Sequence, residues 1–328
     1  MTDRLAARIV DAAAREVARL RALEDRAGAY ARASKAANTL RAYRSDLRDF
    51  DEWCIDHRRR SLPATPHTLR LYLTALAEAG ARASTISRRV SAISQAHQLA
   101  GHVRPPTHDW TVRATLRGIR RTLGTAPEQK APLVTAELRR LLAATPADTL
   151  AGRRDRALLV LGFAGGLRRS ELVALDAGDV TETEDGLRIL LRRSKTDPEG
   201  EGRELGLPPG QHAGTCPVRA LRAWRSAAGI DAGPLFRPVS RHDQLGSGRL
   251  TPQSVALVVK RACRRCGLDP SLFAGHSLRS GLATAAAAGG APERAIMHHG
   301  GWRSEAMVRR YIRAGTLFEE NAASFCGL

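Results

Sequence analysis

Two segments near the C-terminus carry side chains able to attack a phosphodiester: GHSLRSG at 275–281 and, after an alanine-rich stretch, HHGGWRSEAMVRRYIR at 298–313. They supply His276, Arg279, Trp302 and Tyr311, that is, an imidazole, a guanidinium, an indole N–H donor and a phenol. Upstream, Arg168 and Glu171 lie in GFAGGLRRSELVAL at 162–175, and Lys195 lies in LRILLRRSKTDPEGEGRELGLP at 187–208. Phosphoryl transfer asks mainly for positioning and for positive charge on the non-bridging oxygens. Planar guanidinium forks meet that need bidentately and stay charged at any relevant pH. A phenol with a pKa of about 10 becomes a nucleophile once cations or a base favour loss of its proton. His276 is a candidate acceptor for that proton, or a donor to a phosphate oxygen. Lys195 is a candidate acid for the leaving oxygen, and the same groups acting in reverse would ligate.

Each piece has an ordinary reading of its own. Arg168 and Glu171 are three residues apart, the spacing of a surface helix ion pair. His276 alone reads as a histidine at a helix start, and Trp302 and Tyr311 as core aromatics. His-x-x-Arg also occurs at His57/Arg60 and His67/Arg70, so the pair at 276 and 279 is not distinctive. Order and spacing across the second half carry the signal. Aromatic residues are 4% of the chain, so a Trp and a Tyr nine positions apart among arginines stand out, and Lys195 is one of four lysines.

In that order and spacing the chain resembles the tyrosine recombinase (phage integrase) family, and within it the Cre-like pattern, since GGW stands where leucine-glycine-histidine is commoner. The resemblance runs from about Asn38 to Tyr311 and is dense from Gly166 onward. It implies that Arg168, Lys195, His276, Arg279, Trp302 and Tyr311 are catalytic, with Glu171 in support and Tyr311 the nucleophile of a covalent 3′-phosphotyrosine. It implies cleavage and rejoining without metal or ATP, so no cofactor. The partners it implies are double-stranded DNA with inverted-repeat half-sites and a homotetramer on two paired sites, with a dimer on each. The fold it implies is mainly α with a small β-sheet, a helical core-binding bundle and an α+β catalytic domain closing as a C-shaped clamp on DNA. Two alternatives stay open: a DNA-relaxing enzyme like the type IB topoisomerases, which uses the same nucleophile and clamp, and a DNA-binding or architectural protein that has lost catalysis. The GGW spacing and the length of 328 residues favour a recombinase over the first, and the filled catalytic positions speak against the second.

Composition is consistent with DNA as partner. The net charge is +19 and the isoelectric point about 11.1, as expected of a chain that neutralises many phosphates. There is no run of apolar residues long enough for a membrane span, and the N-terminus is too charged for a signal peptide. The expected location is the cytoplasm, on the nucleoid. Five cysteines, an odd number, argue against a disulfide framework, and Cys263/Cys266 has no second pair at zinc-finger distance.

The elements that must position these residues fall on either side of GTAPEQKAP at 124–132, where glycine and proline interrupt helical periodicity. The expected division is a helical DNA-binding domain over 1–126, a linker over 127–132 and a catalytic domain over 133–328. In the first, Asn38, Thr65-Pro66 and Ser84 are expected to start helices, a fourth carries Val112, Leu116, Ile119 and Leu123, and residues 1–30 form a charged helix. Arg44, Arg88 and Arg89 are assigned to their basic outer faces. In the second, two extended segments flank the turn with Lys195, Cys216-Pro217 and Thr251-Pro252 open helices, Ser277 begins the alanine-rich helix, and Ser304 caps the helix of Tyr311. The helix after Thr251 carries Gln253, Lys260, Arg261, Arg264 and Arg265; the Cre-like resemblance implies that it enters the major groove. Leu317, Phe318, Phe325 and Leu328 are expected to make an apolar tail that docks on its own domain or on a neighbouring protomer.

Overall fold

A computed structural model describes residues 2–126, 129–197, 199–316, 323 and 326, with 2–14, 32 and 314 described by backbone alone. By Cα proximity the chain divides into two compact units, Met1–Pro127 and Glu128–Leu328. The tail residues Leu317, Phe318, Phe325 and Leu328 lie outside the described residues. No helix among the described residues is long and apolar enough to cross a membrane.

The first unit opens with α1 (Thr2–Ala33), whose described side chains are nearly all exposed, and continues with α2 (Ala37–Asp56), α3 (Pro66–Glu78), α4 (Ala83–Leu99) and α5 (Trp110–Leu123). Helices α2 to α5 close on Phe50, Cys54, Leu69, Tyr72, Leu73, Ile86, Ile93 and Val112. Thr65 caps α3 as its sequence suggests, its hydroxyl accepting from the Thr68 N–H at 3.1 Å with Pro66 next. Two other expected caps are displaced. Helices α2 and α4 start before Asn38 and Ser84: their N-caps are Ala36 and Arg82, with no side-chain cap bond at either. Packing of their apolar faces suffices there, a common override of local signals. His97, 1% exposed, ties α4 to the loop before α3: its Nδ1–H donates to the Ile93 carbonyl at 2.8 Å and its Nε2 accepts from the Ala64 N–H at 2.9 Å.

The second unit is built around α7 (Leu150–Ala164), whose residues Ala157 to Leu161 are all buried. A helix with no exposed residue, and apolar on every side over its last two turns, belongs at the centre of a domain. Around it lie α6 (Thr135–Ala143), α8 (Arg169–Ala174), α9 (Pro217–Ala228), α10 (Pro252–Arg265), α11 (Gly275–Ala288), α12 (Glu293–Gly300) and α13 (Glu305–Gly315). A three-stranded antiparallel sheet, ordered β1 (Val180–Thr183), β2 (Gly186–Leu191), β3 (Arg203–Leu207), leans on α9. Strand β1 was not expected: VTET is short and mostly exposed, and its strand character comes from pairing Val180 with Ile189 and Thr183 with Gly186. Cys216-Pro217 and Thr251-Pro252 do open helices. The alanine-rich helix begins at Gly275, earlier than the expected Ser277, whose hydroxyl instead accepts from the Ala274 N–H at 3.0 Å. That shift puts His276 inside the first turn.

Candidate active site

Glycines at 165 and 166 end α7 and turn the chain so that Arg168 precedes α8. Glu171, 2% exposed, accepts from the Arg168 backbone N–H at 2.9 Å and from its guanidinium at 2.5 Å. The spacing suggested a surface ion pair; the pair is instead an inward clamp that fixes both the start of α8 and the direction of the Arg168 side chain.

Arg279 leaves α11 in the middle of the domain and is 1% exposed. Its Nη1 donates to the Gly166 carbonyl at 2.5 Å and to the Gly300 carbonyl at 2.7 Å. Its guanidinium carbon stands 3.9 Å from the centre of the Trp302 ring, a cation–π contact. Nη2 is buried and finds no hydrogen-bond partner among the described residues. Burial, then the neighbouring charge of Arg168, lowers its pKa to about 10. It therefore stays protonated at neutral pH, charged and short of one acceptor.

Trp302 reaches this place through the Gly300-Gly301 turn. A Cβ on Gly300 would fall 1.7 Å from the indole, and Gly301 takes the left-handed conformation at φ +64. Helix α13 then packs on the small face of α11, where Ala283 and Ala287 meet Val308 and Tyr311. Small residues allow that approach: a Cβ on Gly315 would meet the Thr284 carbonyl at 2.5 Å. The result is Tyr311, 9% exposed, with Oη 3.5 Å from His276 Nε2 and its ring 6.2 Å from that of Trp302.

The His276 ring keeps solvent access, yet its pKa is held below the ordinary 6.5, first by the protein packed around it and then by Arg279, Arg168, Arg169 and Lys195. A neutral imidazole at a helix N-terminus is a proton acceptor. Lys195 itself is exposed on the loop between β2 and β3, close enough for its charge to bear on His276. That loop is braced from within, the Asp197 carboxylate accepting from the N–H groups of Gly200, Glu201 and Gly202 at 3.1, 3.1 and 2.9 Å.

All seven residues singled out for chemistry lie in one unit: Arg279, Trp302, Tyr311 and His276 are joined by successive contacts, Arg168 is bonded to Glu171, and that pair and Lys195 bear on the others through their charges. Sequence reasoning missed two participants, Arg203 and the carbonyl-bearing turn at 299–301. Among so many arginines no local signal marks Arg203.

The residues assigned to DNA contact fare unevenly. Gln253, Arg264 and Arg265 are exposed on α10, Lys260 is half-buried there, and Arg44 is exposed on α2. Arg261 is held by Asp155 at 2.8 Å, so it is not a free cation. Arg88 grips the buried Asp46 through two bonds, at 2.8 and 2.9 Å. Arg89 does not face outward: its side chain is 17% exposed and bonded to Asp49 and to the Tyr72 hydroxyl. The buried Asp46 holds Arg88, whose side chain stays half exposed, and lies 3.7 Å from Arg89, which the partly exposed Asp49 and Tyr72 turn toward the bundle.

Comparison with known proteins matches the same two units. The phage integrase family profile covers residues 133–316, and the phage integrase N-terminal SAM-like domain covers 30–102. A Selenomonas ruminantium protein named integrase/recombinase xerD homolog is 44% identical over 88% of this chain and 85% of its own length. The tyrosine recombinase XerC of Myxococcus xanthus is 29% identical over 89% of this chain and 90% of its own. Among solved structures, a lambda integrase (75-356) dimer bound to a COC′ core site shares the fold at a TM-score of 0.58 and 18% identity, over 88% of this chain and 93% of that one. The Tn1549 transposon integrase in complex with transposon right end DNA does so at 0.59 and 16%, over 88% and 95%. On the family profile and the relative at 44% identity, the chain belongs to the phage integrase family, that of the tyrosine recombinases.

Proposed function

We propose that the chain is a site-specific DNA recombinase that cuts and rejoins strands through a covalent phosphotyrosine at Tyr311. The observation that carries this reading is the buried Arg279 guanidinium, whose Nη2 has no partner among the described residues, within the field of Arg168 and joined through Trp302 to Tyr311 and His276. Buried cations are held by anions, and among the described residues Glu171 is the carboxylate whose charge bears on both Arg279 and Arg203 and which is bonded to Arg168. A buried donor without an acceptor asks for a ligand. A phosphate diester supplies both the charge and the acceptors.

In the proposed reaction the scissile phosphate takes its non-bridging oxygens to Arg168, Arg279 and the Trp302 indole N–H. Tyr311 Oη attacks phosphorus, its proton passing to neutral His276 Nε2. The bond from phosphorus to the 5′ oxygen breaks, and that oxygen takes a proton from Lys195. The products are a 3′-phosphotyrosine and a free 5′-hydroxyl. Reversal with a different 5′-hydroxyl joins new strands, so the phosphodiester energy is retained and no nucleotide is consumed. The guanidiniums and Lys195 supply the charge stabilisation that a metal would otherwise provide. The partners proposed are duplex DNA with inverted half-sites and a tetramer of this chain on two sites.

The test uses a nicked suicide duplex carrying half-sites that the full chain selects from randomised DNA. The wild type is expected to form a covalent adduct in excess EDTA and without nucleotide. Tyr311→Phe is expected to bind that duplex with unchanged affinity and form none. An adduct in the variant, or a magnesium requirement for cleavage, would overturn the reading. Relaxation of supercoils without exchange between paired sites would favour the topoisomerase alternative.

A further inference from the structure

Arg203 opens β3, directly after the loop that bears Lys195, and pairs with Leu191 at the end of β2. It therefore stands at the base of the Lys195 hairpin. Its Nη1 donates to the His299 carbonyl at 3.0 Å, while the next carbonyl, that of Gly300, is held by Arg279. Two guanidiniums from different elements thus take consecutive carbonyls of the turn that delivers Trp302. The contact is built into the sequence: a Cβ on Gly301 would lie 2.9 Å from Arg203 Nε, so the guanidinium needs glycine there. His299 is fixed in turn, its Nε2–H donating to the Ala164 carbonyl at 2.7 Å at the end of α7.

Holding one carbonyl does not by itself call for a cation in a pocket already crowded by Arg168 and Arg279. Arg203 nevertheless stays there with Nη2 buried and unpartnered among the described residues, and its pKa is lowered by burial and by Arg168. What it joins explains its position. The hairpin loop is braced by Asp197, so a tie at its base is transmitted to its tip rather than absorbed.

We propose that Arg203 is a positioning residue for the proton donor: it anchors the base of the Lys195 hairpin to the 299–301 turn and so sets Lys195 against Trp302 and Tyr311. This rests on the reading of Lys195 as the acid for the leaving oxygen. The consequence is specific to protonation. Loss of the anchor should slow cleavage where the leaving atom needs a proton and spare it where it does not.

The experiment compares single-turnover adduct formation on two suicide duplexes, alike except that the 5′ bridging atom at the scissile phosphate is oxygen in one and sulfur in the other. A thiolate departs without a proton, so sulfur bypasses the acid. Lys195→Ala is expected to lose about 100-fold on oxygen and little on sulfur. Arg203→Met keeps the stem under Gly301 and removes the donors; it is expected to lose about 10-fold on oxygen and to approach the wild type on sulfur. Arg203→Lys, which keeps charge without the fork, should fall between. The quantity read is the sulfur-to-oxygen rate ratio of one preparation, from which any unfolded fraction cancels. An equal loss on both duplexes, or no loss on either, overturns the role of Arg203. Failure of sulfur to rescue Lys195→Ala would instead remove the acid assignment beneath it.

Discussion

In the proposed reaction His276 takes the Tyr311 proton, and its surroundings fix how that reaction should respond to pH. Its folded-state pKa is depressed below 6.5, by the protein around it and then by Arg279, Arg168, Arg169 and Lys195. For a depressed imidazole the neutral form persists above 6.5 and is lost only as pH falls through the lower, folded value. Cleavage on the oxygen-bridged duplex should therefore hold as pH is lowered to 6.5 and decline only below it. Arg169 offers a direct check. Its stem lies over Gly275, where a Cβ would come 2.4 Å from its Cδ, so its charge sits at the base of the His276 turn without joining the phosphate clamp. Arg169→Gln should move the acid limb of the pH–rate profile upward, toward 6.5, with a modest change in the plateau rate. A midpoint that stays put would mean that a group other than His276 takes the Tyr311 proton.

Helices and turns decide whether these residues meet, and here the Gly300-Gly301 turn is the tightest joint. With the indole 1.7 Å from where a Cβ would stand, Gly300→Ala must displace Trp302 and with it the face of Arg279. We expect at least about a 100-fold loss of cleavage, the scale of losing one preorganised donor, with DNA binding largely kept; near-normal cleavage would show that Trp302 is not held by this turn. The elements were legible wherever one signal dominated. Thr65-Pro66 and Thr251-Pro252 mark real helix starts because the hydroxyl and the proline act within one turn. Asn38 and Ser84 misled because α2 and α4 begin one residue earlier, at Ala37 and Ala83, with no side-chain cap at either start. Arg168, His276, Arg279, Trp302 and Tyr311 could be singled out only as an ordered set that resembles the family pattern, since each alone has an ordinary reading. What was hidden is long-range: the inward turn of Arg89 to Asp49 and Tyr72, and the reach of Arg203 to the His299 carbonyl, 96 positions away, depend on partners that periodicity does not reveal.

Across the whole molecule a net charge of +19 favours attraction to polyanions such as DNA and says nothing of sequence choice, so affinity and specificity should separate by residue. Helix α10 allows the separation to be tested. Its first turn is capped by Thr251, and Gln253, exposed beside that cap, has no side-chain hydrogen bond to the other described residues. Glutamine can pair bidentately with adenine, a contact of about 1–3 kcal/mol of discrimination. Arg264 and Arg265 at the other end are exposed, whereas Arg261, one turn before them, is tied to Asp155. Gln253→Ala is therefore expected to relax preference at one base pair of each half-site and to leave the salt dependence of binding unchanged. Arg264→Ala should weaken all sequences alike and make the salt slope shallower by about 1, while Arg261→Ala should act on stability, by freeing the buried Asp155, more than on that slope. Selection from randomised DNA with each variant, together with affinities at several salt concentrations, reads all three. An unchanged base profile for Gln253→Ala would remove Gln253 from readout, and a slope change for Arg261→Ala equal to that of Arg264→Ala would mean that DNA draws Arg261 away from Asp155.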